Sequence, residues 1–265
     1  MKQFFESLWN DYVSITPDAL AIHNKFKQLG DTEIVNDHVA FRTFNDGLIS
    51  LKHIGAYLEQ LGYQEAGEYH FEEKKLYAKH FAHKTEQDAP KIFVSELLLE
   101  EFSPELQMFC RGLIAEANWN IGKNGLQIPS RPWGKISRTA YQKLLEESEY
   151  AAWLAVFGLR ANHFTVSINH LESLGNIETV NQYLKESGFE LNTSGGEIKG
   201  NEEVCLKQSS TMANTVNWEF EDGNYPIRSC FYEFAERFPM QNGELYQGFV
   251  AASADKIFES TNVAA

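Results

Sequence analysis

Three things are scarce in this sequence. Cysteine is the first: Cys110, Cys205 and Cys230 are the only three in 265 residues, an odd number without CxxC spacing. That excludes a disulfide framework or a zinc knuckle and fits structural thiols in a reducing compartment. Positive charge is the second, with 23 Lys and Arg against 37 Asp and Glu and a formal net charge of -14. Phosphate backbones need clustered cations, so nucleic acid is excluded as a partner, and any small anion needs a locally placed cation. Long apolar sequence is the third. No run approaches the ~20 residues that cross a bilayer, and the opening MKQFFESLWN has acids and amides where a secretory signal keeps an apolar core. The expected setting is cytoplasmic, with no membrane partner. GxSxG, P-loop and GxGxxG strings are missing too, so serine hydrolase, NTPase and dinucleotide chemistry have no local support.

What remains is an ordinary globular composition, expected to form a single domain over 1–265. Residues 1–32 show helical spacing with a second helix start at Thr16-Pro17-Asp18. The next segment, 33–100, reads as a strand (IVNDHVAFRTF), a helix ending at Gly62 and further strands. Residues 101–159 read as a helical connection, with the loop IGKNGLQIPSRPWGK between its helices. The order then repeats over 160–240: a strand (ANHFTVSIN), a helix ending at Gly188, and strands at EIKGNEEVCLKQSST and IRSCFYEFAERF. YLEQLGY and YLKESGF end the two helices at similar distances beyond His38 and His163. A degenerate βαβββ repeat follows, with 241–265 as a C-terminal tail. The expected fold is α+β, with two such modules forming a curved mixed sheet flanked by N-terminal and inter-module helices.

Alternation along strands puts His38, Ala40, Arg42 and Phe44 on one face, and His163, Thr165, Ser167 and Asn169 on one face of the matching strand. If the modules pair as related halves, the two histidines converge. Glu233, among Phe231 and Ala235, is a carboxylate in apolar company and needs a cation or a metal. Two imidazoles and one carboxylate make a facial triad of the kind that holds non-haem Fe(II). Each residue alone reads more readily as a hydrogen-bonded core group; together, in corresponding strands, they favour a metal. Glu96 is read as the first-module counterpart of Glu233, either a fourth ligand or an acid polarising the pocket. Ser167, Arg131 and Trp133 are further pocket candidates. His80 and His83 read as a solvated pair.

The strings DHVAFRTF, ANHFTVSINHL and YEFAERF resemble the family once known only as a domain of unknown function (DUF1338), the 2-oxoadipate dioxygenase/decarboxylases, in the vicinal-oxygen-chelate superfamily. The resemblance implies two βαβββ modules around a metal pocket, Fe(II) held by His38, His163 and Glu233, and Arg42 as a substrate-carboxylate contact. It also implies a small 2-oxo acid and O2 as partners, with 2-oxoadipate converted to 2-hydroxyglutarate and CO2. The residues alone leave open a metal-dependent isomerase or hydrolase, or a metal-free binding protein, on the same scaffold.

Overall fold

The computed structural model describes residues 1–117, 128 and 131–262; most of the expected loop at 121–135, and the last residues of the helix before it, lie outside them. Two helices open the chain. α1 (Lys2–Ile15) buries Leu8, Tyr12 and Ile15 along one stripe, and Pro17 begins α2 (Pro17–Leu29) at the position where its missing N–H is not needed. The first module is β1 (Asn36–Phe44), α3 (Leu51–Gln60), β2 (Tyr63–Phe71), β3 (Leu76–His83) and β4 (Lys91–Leu97). Three helices follow: α4 (Pro104–Glu116), α5 (Arg138–Glu147) and α6 (Glu149–Phe157). The sequence pattern runs unbroken through the last two, yet Ser148 separates them by turning its hydroxyl to the Ala151 amide as an N-cap. Every residue of α6 from Tyr150 to Phe157 is buried, as an all-apolar helix requires.

The second module comprises β5 (Ala161–Ser167), α7 (Ile177–Glu186), β6 (Lys199–Asn201), β7 (Leu206–Ser210), β8 (Thr215–Phe220), β9 (Gly223–Arg228) and β10 (Phe231–Arg237); α8 (Ala251–Ile257) comes last. Eight strands form one curled mixed sheet in the order β2-β3-β4-β1-β5-β10-β7-β6. β1 is parallel to β4, β5 is parallel to β10, and β1 meets β5 antiparallel at the centre. The expected pair of βαβββ modules is therefore present, joined through their first strands. Gly62 and Gly188, at φ +94° and +87°, follow the matching helices in left-handed conformations that a side chain would strain.

Two expectations change. IRSCFYEFAERF is not one strand: Ile227 and Arg228 end β9, and β10 begins at Phe231. β8 and β9 form a separate hairpin inserted before the module's last strand, and the Asp222-Gly223 pair between alternating residues is the turn signal that marks it. The segment read as a tail instead carries α8, whose buried Ile257 and neighbouring Phe258 pack over the inner face of the sheet.

Each module fixes its helix to the sheet in the same way. Glu96 Oε2 accepts the Leu51 N–H at 2.8 Å at the start of α3, and Glu236 Oε2 accepts the Ile177 N–H at 3.1 Å at the start of α7. A carboxylate there satisfies an orphan donor and opposes the helix dipole. Glu96→Ala and Glu236→Ala should each lower unfolding free energy by about 1 kcal/mol, and the double variant by the sum, because the sites lie in different modules. Urea midpoints measure this; unchanged stability in both single variants would contradict it.

Candidate metal centre

The central strand pair sets the site. β1 and β5 align His38 with Thr165 and Ala40 with His163; β10 aligns Glu233 with Thr165 and Phe231 with His163. Paired residues share a face, so all these side chains enter the hollow of the sheet. Ligand atoms of His38, His163 and Glu233 lie within 4.8 Å of one another, and all three residues are buried. Together with Phe93, Gln208, Phe249, Ala254, Ile257 and Phe258 they line a void of about 20 Å³, room for one water-sized body.

Hydrogen bonding fixes what these groups present. His38 Nδ1 is 2.8 Å from Asp37 Oδ1; a carboxylate only accepts, so Nδ1 carries the proton and Nε2 turns a lone pair inward, 3.0 Å from the Thr165 hydroxyl. Asp37 is itself clamped by Arg237, whose Nε and Nη2 donate at 2.6 and 2.8 Å. Burial pushes the Asp37 carboxyl up, but Arg237 and His38 outweigh it and hold it well below the usual carboxylate range. His163 Nδ1 lies 3.2 Å from the Asn162 amide oxygen, leaving Nε2 facing Glu233 Oε2 at 3.1 Å. Burial, helped by His38 and Arg42, drives the His163 pKa well below the imidazole range. Gln208 donates to Glu233 Oε1 at 2.6 Å, while Oε2 is buried without a hydrogen-bond partner. Burial raises the Glu233 pKa against the pull of His38 and Gln208.

His38 Nε2, His163 Nε2 and Glu233 Oε2 converge on one point. A divalent ion there would draw on all three and offset the penalties that burial imposes. The donor set fits a metal of the iron type, and the Arg237–Asp37–His38 chain holds one imidazole in the ligating tautomer.

The other sequence candidates lie elsewhere. Arg42 shares the inner face, but its Nη1 donates to both Glu149 oxygens at 3.0 and 3.1 Å and its Nη2 to Thr261 Oγ1 at 2.8 Å. It borders a second cavity of about 370 Å³, with Phe258 common to both walls. Glu96 is not the counterpart of Glu233. The registers His38–Lys91 and His163–Phe231 make Phe93 that counterpart, and Glu96 corresponds to Glu236 on the outer face. Ser167 pairs with His170 on the wall of a third cavity. Arg131 and Trp133 donate to the Val156 and Ala155 carbonyls at the end of α6. His80 is no solvated residue: it is buried against Tyr69, and burial lowers its pKa to about 4.

Residues 10–119 and 111–244 match the family model for 2-oxoadipate dioxygenase/decarboxylase. The chain belongs to this family. The chloroplastic 2-oxoadipate dioxygenase/decarboxylase of Arabidopsis thaliana is 33% identical over 98% of this chain and 78% of its own length. The crystal structure of an Oryza sativa hydroxyglutarate synthase in complex with 2-oxoadipate is 32% identical, with a TM-score of 0.88 over 97% of this chain and 90% of that one. A Shewanella frigidimarina protein provisionally described as a hydrolase is 51% identical, with a TM-score of 0.86 over 95% and 98% of the two chains. Membership in the 2-oxoadipate dioxygenase/decarboxylase family makes the chain an enzyme of the oxygenase and decarboxylase class.

Asp37, Arg237 and Gln208 were not singled out by sequence reasoning, although Asp37 and Arg237 stand inside the strings DHVAFRTF and YEFAERF. Their pairing spans 200 positions, which no local pattern reveals. His38→Ala, His163→Ala and Glu233→Ala should each abolish stoichiometric metal binding after anaerobic reconstitution, and Asp37→Asn should weaken it by roughly 10- to 100-fold. Glu96→Ala should retain the metal. Elemental analysis reads the outcome; full retention in all three ligand variants would end the assignment.

Proposed function

We propose that the enzyme is an Fe(II)-dependent dioxygenase that decarboxylates a 2-oxo dicarboxylic acid, converting 2-oxoadipate and O2 to 2-hydroxyglutarate and CO2. The observation that carries this reading is the convergence of His38, His163 and Glu233 in a buried pocket where, among the described residues, no hydrogen bond satisfies Glu233 Oε2. Iron held by those three residues would supply a redox-active centre with free positions for a 2-oxo acid and dioxygen. The names of the Arabidopsis and rice relatives, and the rice structure's bound 2-oxoadipate, support the choice of substrate.

The chain's own residues do the rest. Phe93, Phe249, Ile257 and Phe258 give the pocket an apolar lining, which would strengthen the electrostatic contacts inside it. The void is too small for a six-carbon acid, so substrate entry would require the side chains that line it to give way. Arg42 as a carboxylate contact, implied by the family resemblance, requires the substrate to take the place of Glu149; a guanidinium fork can exchange one carboxylate for another without losing its geometry.

Oxygen uptake with CO2 release should occur with Fe(II) and 2-oxoadipate, and zinc should fill the site without turnover. Turnover under strict anaerobiosis, or with zinc alone, would sink the oxygenase reading; tightly bound zinc without oxygen uptake would favour a hydrolase or isomerase.

A separate outcome concerns Arg42. If it exchanges partners, Arg42→Ala should cost roughly 2 to 5 kcal/mol in kcat/KM while iron is retained. Glu149→Gln should lower the KM for 2-oxoadipate. An unchanged KM in both variants would make the Arg42–Glu149 pair purely structural.

A further inference from the structure

Among the described residues, Gln208 is the one polar group outside the triad that lines the void between His38, His163 and Glu233; the other lining residues are apolar. Gln208 is 2% exposed. Its Nε2 donates to Glu233 Oε1 at 2.6 Å, and this bond fixes the amide: a carboxylate that holds a cation only accepts, so the NH2 turns to Glu233 and leaves Oε1 on the other side. That oxygen is buried and has no hydrogen-bond partner among the described residues. The polar groups beside it in the sheet are spent elsewhere. Lys199, opposite Gln208 across the β6–β7 pair, gives its ammonium to the Asn192 and Glu197 carbonyls, and Ser210 Oγ pairs with Ser260 Oγ.

The fold does not require an amide at this place. Gln208 stands opposite Ala235 in the β7–β10 pair; the β4 counterpart of Ala235 is Ser95, and the residue opposite Ser95 in β3 is Ala78. The first module thus has a methyl group where the second has an amide. Orienting Glu233 needs a donor only, whereas an amide brings an acceptor with it, and a buried acceptor without a partner is costly. The acceptor calls for an O–H or N–H that enters the pocket from outside. Of the species in the proposed reaction, ionised 2-oxoadipate, O2 and CO2 carry neither. 2-Hydroxyglutarate carries one O–H, on the carbon next to a carboxylate, at the end of the molecule suited to chelating a metal.

Building on the proposed function, we propose that Gln208 Oε1 accepts a hydrogen bond from the hydroxyl of the 2-hydroxy acid product, so that the amide positions Glu233 with one end and tells product from substrate with the other. 2-Hydroxyglutarate and 2-oxoglutarate have the same length and charge and differ only in hydroxyl against keto oxygen, so the pair isolates this contact. The test titrates each acid by anaerobic calorimetry into the wild type and Gln208→Met, both at saturating Fe(II); methionine keeps the length of the side chain and removes both polar ends. Gln208→Met should weaken the binding of 2-hydroxyglutarate roughly tenfold and leave that of 2-oxoglutarate within about twofold. In aerobic kinetics the constant for inhibition of 2-oxoadipate turnover by 2-hydroxyglutarate should rise by the same factor. An equal loss for both acids would overturn the proposal and make Gln208 a support for Glu233 alone, as would a variant that takes up no iron. Unchanged affinity for 2-hydroxyglutarate would overturn it as well. A Gln208-dependent preference for the hydroxy acid in a wild type that takes up no oxygen with 2-oxoadipate would keep the hydroxyl contact and sink the dioxygenase reading instead.

Discussion

The site depends on the antiparallel pairing of β1 with β5. That pairing brings His38 within reach of His163, and it is interrupted by register shifts between Asn36 and His38 and between Ala40 and Phe41. A slip of one residue would turn His163 to the outer face and leave Phe164 in the hollow. Packing on the outer face resists such a slip. The Phe164 ring lies 5.0 Å from Tyr12 and 5.1 Å from Trp9, and Trp9 also meets Tyr232 of β10 at 5.9 Å. The Tyr12 hydroxyl also donates to the Phe231 carbonyl, tying α1 to β10. The N-terminal helices, remote from the chemistry in sequence, hold the two strands that carry His163 and Glu233 in one register.

The interior carries charge that a core built for stability alone would avoid. Buried ion pairs repay their desolvation only with close geometry and further hydrogen bonds. Arg237 has both: two bonds to Asp37 and two from Nη1 to the Tyr246 and Gly248 carbonyls. The same guanidinium therefore orients His38 through Asp37 and pins the loop that presents Phe249. One residue couples the imidazole tautomer to the wall of the pocket.

Those features that rest on local spacing were legible in the sequence. The helix-ending Gly62 and Gly188 repeat at matching distances from His38 and His163, so the modules and the convergence of the histidines could be inferred before any coordinates. Partners distant in the chain could not. Arg42 was legible as an inward-facing cation but not as the partner of Glu149, 107 positions away, and Ser167 was legible as inward-facing but not as a wall of a different cavity. Glu96 was misassigned by three residues, an odd number that turns a strand residue to the other face. Sequence reading matched it to Glu233, whereas the observed pairing matches it to Glu236.

That register also explains how a nearly symmetric scaffold acquires a directional site. The modules repeat topology and helix capping, but not donors: Glu233 of β10 has Phe93 as its counterpart in β4, and Phe231 has Lys91. A carboxylate at position 93 would surround the ion with protein ligands and leave little space for substrate. Phenylalanine there leaves β4 without a donor, so that His38 of β1 is the first module's contribution to the triad, and walls that side with Phe93 and Phe249, whose rings meet at 5.1 Å. A metal held by the three donors would be open toward that apolar wall, where a 2-oxo acid could displace side chains rather than ligands. The asymmetry at one paired position, Phe93 against Glu233, gives a repeated scaffold two candidate donors from the second module, one from the first, and an apolar wall beside them.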